Sequence, residues 1–223
     1  MLSSTMQKIG DKKIIYNTIE EIIDPSHTAL VVWDVINMFV NLIFNRQEFT
    51  RNLGSVIELA RRANVPIFFT RHQLLPTRFE SSARLDMISR LGLDRISQTA
   101  TKEDLDFVIK PKQSYQQQQE QEEQQQQQSE VVIDKHTASI FIDTGFERML
   151  QSAGIITAVF TGIATEYGIE SSARDASSRG FYSVVVSDCV SSPHKEGHTR
   201  SLENMKKIIT ITSSKEIENI WSK

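Results

Sequence analysis

The chain has 223 residues, 39% hydrophobic and 24% charged, with a formal net charge of −3. That make-up suits one globular domain of the larger kind, and its charge offers no reason to bind nucleic acid or an acidic membrane surface. The single cysteine, Cys189, excludes an intrachain disulfide and a zinc site built on several thiolates.

In chain order, residues 1–24 read as an N-terminal extension, and residues 1–13 lack the apolar stretch of a secretory signal. The longest apolar run, 28–44, is interrupted by Asp34 and Asn37 and falls short of the ~20 residues of a membrane helix. A cytoplasmic protein without membrane contact is expected. From residue 25 to 223 the pattern is that of one domain. A β-branched apolar run predicts a strand over 29–36, ending near Asp34, and apolar Leu53, Val56, Ile57 and Ala60 predict a helix over 49–64. A second strand covers 65–71. An insertion at about 113–130 follows, in which residues 116–128 are Gln and Glu alone. Such a tract buries no core and is expected to be a solvated, tolerated loop expansion.

Beyond it come a short strand at 131–133, a helix over 144–153 closed by Gly154, and a strand at 158–162. A helix over 166–179, a strand at 182–187, a helix over 197–207 and a strand at 208–212 complete the chain. The runs are continuous rather than alternating, as in strands covered on both faces. Strand and helix in repeated order therefore predict a doubly wound, mostly parallel six-stranded sheet with helices on both sides. Ligands bind such sheets beyond the carboxyl ends of the strands, where Asp34, Thr70–His72 and Gly162–Thr165 fall.

Three features at those ends carry chemistry. Asp34 is a carboxylate closing a buried strand, and such a group must be paired or used. Lys135 follows the 131–133 strand and can hold a carboxylate ionised or meet developing negative charge. The turn Thr161-Gly-Ile-Ala-Thr165-Glu-Tyr-Gly168 leads into a helix whose first N–H groups can receive an oxyanion or a substrate carboxylate.

The order of these features is distinctive: an apolar strand ending in Asp, a Lys before Ser-Ile-Phe, then Thr-Gly-x-x-Thr and Ala-Arg-Asp175-Ala before Gly-Phe. From about Pro25 to the C-terminus, outside the Gln/Glu tract, the chain resembles the isochorismatase-like (cysteine hydrolase) superfamily. The resemblance implies a three-layer α/β/α sandwich with a Rossmann-like topology, a small-molecule substrate, no cofactor and a homodimer or higher oligomer. It also implies an Asp–Lys–Cys triad, matched here by Asp34, Lys135 and Gly168, so the nucleophilic cysteine is missing. Cys189 lies beyond the fifth strand and does not replace it. A cis Ile163–Ala164 peptide is implied too, with the amides of Ala164 and Gly168 as oxyanion donors and Ile163, Thr165 and Glu166 around the substrate.

Without a thiol the thioester route of the amidase members is closed. The family's vinyl-ether hydrolases offer a pattern without a covalent intermediate. In it Asp34 moves a proton, Lys135 tunes it and binds an anionic substrate, and Gly168 leaves room. Glu166 reads as a first-turn helix residue or as a general base. A ligand-binding protein without turnover is the alternative, and a scaffold acting through the Gln/Glu tract a third. No metal is expected: Thr70-Arg-His72 lacks the acidic residue of an Asp-x-His pair, and His194 and His198 read as a solvent-facing pair at a helix start. Arg71 and Arg78 are candidates to face substrate or a neighbour. Phosphate-binding glycine loops and the Gly-x-Ser-x-Gly elbow are absent.

Overall fold

The computed structural model describes residues 7–9, 13–94, 99–112 and 129–223. The Gln/Glu tract of 116–128 lies outside the described residues. A small antiparallel pair, β1 (Gln7–Ile9) and β2 (Lys13–Ile15), opens the chain. Helix α1 (Ile19–Ile22) follows, held at its start by a capping box between Thr18 and Glu21.

The main sheet contains β3 (Thr28–Trp33), β4 (Ile67–His72), β5 (Glu130–Lys135), β6 (Thr157–Ile163), β7 (Tyr182–Ser191) and β8 (Thr210–Thr212). Their order is β5-β4-β3-β6-β7-β8, and every neighbouring pair is parallel. The chain winds outward from β3 through β4 to β5, then returns to lay β6 on the other side of β3. The crevice between β3 and β6 is thus the switch point at which doubly wound sheets hold ligands.

Helices cover both faces: α2 (Asn37–Val40), α3 (Arg46–Arg62), α4 (Ser82–Arg90), α5 (Phe146–Ser152), α6 (Glu170–Ser178), α7 (Lys195–Met205) and α8 (Ser214–Trp221). Alternation along β3 divides the core. Leu30 and Val32 join one apolar cluster with Leu53, Val56 and Ile57 of α3 and Ile217 of α8. Ala29, Val31 and Trp33 join the other with Phe146 of α5 and Ala173 and Ala176 of α6. All six residues of β3 are buried, which explains why a continuous apolar run marks this strand.

Three differences from the sequence-based expectation matter. The first strand stops at Trp33, because Asp34 has φ +49° and leaves the extended conformation. The helix expected over 166–179 begins as a π-helical turn, Thr165–Ile169, before α6 starts at Glu170. The 1–24 region is also engaged with the domain: Ile23 is fully buried, and its carbonyl accepts the Trp221 Nε1–H at 2.8 Å.

Candidate active site

The ends of four strands converge at the switch point. Asp34 follows β3, Thr70 and His72 end β4, Lys135 ends β5, and Ile163 ends β6. The Thr70 hydroxyl donates to Asp34 Oδ1 at 2.6 Å and accepts the Asp34 N–H at 3.0 Å. Lys135 Nζ donates to Asp34 Oδ2 at 2.6 Å. Both carboxylate oxygens are therefore engaged by donors, and the unusual backbone of Asp34 is anchored by the same threonine. Lys135 Nζ also lies 3.9 Å from the centroid of the Trp33 ring, a cation–π geometry. The pair is nearly dry, with side-chain exposures of 2% for Lys135 and 7% for Asp34. Burial lowers the pKa of the Lys135 ammonium, with the charge and hydrogen bond of Asp34 opposing that shift.

Above the pair lies a cavity of about 240 Å³. Phe39, Leu42, Met87, Ile88 and Leu91 form an apolar wall, and polar groups enter from a few points. His72 is held neutral, its pKa brought down to about 4 by burial and by the Lys135 charge. Arg84 of α4 faces the same space. Its Nε lies 3.2 Å from Glu80 Oε1 but out of line for a hydrogen bond, so Nε and Nη2 are buried donors with no acceptor among the described residues. A guanidinium with idle donors beside a buried ammonium suits an anionic ligand.

The turn after β6 closes the site. The Ile163–Ala164 peptide is cis, and Ile163, Ala164, Glu166, Tyr167 and Gly168 all line the cavity. Glu166 Oε1 accepts the Ser192 hydroxyl at 2.5 Å, and Oε2 is buried without a partner among the described residues. Thr165 is fully buried, with its hydroxyl 2.8 Å from His198 Nδ1. A Cβ built on Gly168 would stand 2.0 Å from Trp33 Nε1 and 2.2 Å from Cε2. The place where a side chain at 168 would begin is filled by indole.

The Isochorismatase domain family matches residues 28–216. The chain belongs to this family. Among curated relatives, it is 26% identical over 185 residues to a ureidoacrylate amidohydrolase RutB of Pseudomonas syringae pv. syringae (strain B728a), covering 74% of this chain and 70% of the relative. It is 25% identical over 178 residues to Nicotinamidase 3 of Arabidopsis thaliana, covering 79% of each. Among solved structures, a cysteine hydrolase from Pseudomonas syringae pv. phaseolicola 1448A superposes with a TM-score of 0.72 at 18% identity, over 90% of this chain and 95% of that one. These are hydrolases, and the six-stranded parallel sheet flanked by helices is their fold.

Seen as an isochorismatase-family domain, the chain brings Asp34, Lys135, Ile163, Ala164, Glu166 and Gly168 to one cavity. The readings of Gly168, Thr165 and His198 are corrected. Gly168 does not leave room in the direction of its missing side chain, because Trp33 occupies it. Thr165 points to His198 rather than lining the cavity. His198 is not solvent-facing: it is half-buried, and burial lowers its pKa against the pull of Glu166. His194 is exposed and borders the cavity. Arg71 is engaged by both oxygens of Asp134, at 2.8 and 3.1 Å, and Arg78 lies over Phe79. Cys189 is fully buried, and burial pushes its thiol pKa well up, so it is no nucleophile. Sequence reading missed Trp33 and Arg84. Arg84 lies on a helix whose pattern gave no start signal beyond Ser81, which caps it.

Proposed function

We propose that this domain hydrolyses a small anionic molecule with an apolar body by direct addition of water, without a covalent enzyme intermediate. The observation that carries this reading is the buried Asp34–Lys135 pair on the floor of a mostly apolar cavity, with indole rather than a side chain at position 168. Arg84, which stays charged throughout, supplies positive charge for the substrate anion.

Proton movement follows from the pair. Burial disfavours the Lys135 ammonium, and a ligand that excludes the remaining water strengthens that effect. Shifting the proton across the 2.6 Å hydrogen bond from Nζ to Asp34 Oδ2 converts two buried charges into an amine and a carboxylic acid. Asp34 then becomes a general acid. With a vinyl ether, it protonates the terminal methylene carbon. Water adds to the resulting oxocarbenium carbon and returns a proton to the carboxylate, and the hemiketal collapses to a ketone and an alcohol. Glu166, whose buried Oε2 has no partner among the described residues, orients that water.

The experiment is hydrolysis of isochorismate in deuterated water by the wild type and Asp34→Asn. One deuterium in the methyl group of the pyruvate released, with turnover lost in the variant, supports the mechanism. Ammonia release from an amide such as nicotinamide or ureidoacrylate that survives in Asp34→Asn refutes it.

Trp33 in the slot at 168 favours a second reading, a ligand-binding protein without turnover. Saturable binding of isochorismate, recovered unchanged, selects that reading.

A further inference from the structure

Trp33 closes β3 one residue before Asp34, and alternation turns its side chain to the face shared by Ala29 and Val31. Two glycines admit it. Gly162 is its register partner on β6, and a Cβ there would stand 2.1 Å from the Trp33 carbonyl oxygen. At Gly168 a Cβ would meet the indole itself, 2.0 Å from Nε1 and 2.5 Å from Cζ2. The ring is 2% exposed and faces Lys135 Nζ at 3.9 Å. Shifting it aside therefore disturbs both core packing and the cation–π contact.

We propose that Trp33 sets the reaction class of this cavity: its indole holds the side-chain slot of position 168 shut, so no nucleophile can stand there while residue 33 is large. Residues 33 and 168 then form one steric unit, and a thiol at 168 requires a small residue at 33. This deepens the proposed water-based hydrolysis and rests on it for the place of the chemistry. Its tests need no substrate, so failure of one is distinguishable from failure of the other.

The first test is a melting cycle on the full chain. Gly168 lies in a helical turn without a positive φ, where alanine ordinarily raises stability. The expected result has the opposite sign: Gly168→Ala lowers the melting temperature by about 5 °C or more. In a Trp33→Val background the same change leaves it unchanged or raises it. A Gly168→Ala protein that melts at or above wild type overturns the proposal, and this holds even if the Trp33→Val protein does not fold.

The second test is alkylation with iodoacetamide, read by peptide mass. The sulfur bonds to the acetamide carbon, iodide leaves and the thiol proton passes to solvent. Trp33→Val/Gly168→Cys is expected to label at position 168 at least about 10-fold faster than Gly168→Cys. The buried Cys189 serves as the unlabelled reference. Equal rates in the two proteins overturn the proposal.

Discussion

Removing one member of the Asp34–Lys135 pair tests whether the site is a dry ion pair. Side-chain exposures of 7% and 2% at 2.6 Å place it among buried pairs, for which loss of one partner costs about 3–5 kcal/mol. For a chain of this size that is a drop in melting temperature of roughly 6–20 °C. Lys135→Met leaves the Asp34 carboxylate with the Thr70 hydroxyl alone. Asp34→Asn leaves the Lys135 ammonium without the charge that opposed its desolvation. The two costs have opposite pH dependence. A buried ammonium with a lowered pKa contributes less stability as pH falls, so Asp34→Asn is worst at low pH. An orphaned carboxylate takes up a proton as pH falls, so Lys135→Met is worst at high pH. The double variant removes both charges of this pair and is expected to lie within about 2 kcal/mol of wild type. Urea denaturation of the four proteins at pH 5.5 and pH 9 measures this. Single costs below about 1 kcal/mol that add in the double variant and ignore pH would refute the buried ion pair.

Other outcomes follow from the same geometry. The pKa of His72 falls from 6.5 to about 4 on folding, so its contribution to stability is present above pH 6.5 and is lost as pH falls through about 4. The difference in unfolding free energy between wild type and His72→Gln should change across that window and be flat above it; a flat difference throughout means the imidazole is solvated. Arg84→Ala should weaken binding of an anionic ligand by about 10-fold or more by calorimetry, since Nε and Nη2 have no hydrogen-bond acceptor among the described residues. Equal affinity would remove Arg84 from the anion site. Gly162→Ala should yield little folded protein by circular dichroism, because its φ is +119° and the added Cβ would stand 2.1 Å from the Trp33 carbonyl oxygen. Normal folding would mean that β6 can retreat from β3.

Much of the fold was legible because buried parallel strands write themselves as apolar runs. Thr28–Trp33 and Thr157–Ile163 are buried throughout, and both read clearly. Short elements did not. Helix α2 has four residues and one buried side chain, so it leaves no period to detect. Helix α8 has two buried anchors, Ile217 and Trp221, and was missed although Ser213 and Glu216 form a capping box at its start. That signature could have been found. Asp34 and Lys135 were legible because a charge at the end of an apolar strand must be neutralised. Arg84 was not, because idle donors are a property of surroundings rather than of sequence.

The reading of Gly168 went wrong for an instructive reason. A glycine at the position that the resemblance matches to a nucleophile suggests vacant space when the position is considered alone. Space in a packed interior is shared, and the relevant neighbour lies 135 residues earlier in the chain, as Trp33. A clue was nevertheless present. If Asp34 ends the strand, the parity of β3 puts residue 33 on the face of Ala29 and Val31, the face covered by the helix that follows the 165–169 turn. The largest side chain on that face stands opposite the smallest residue of the turn. Reading the two as one volume would have predicted the indole in the slot.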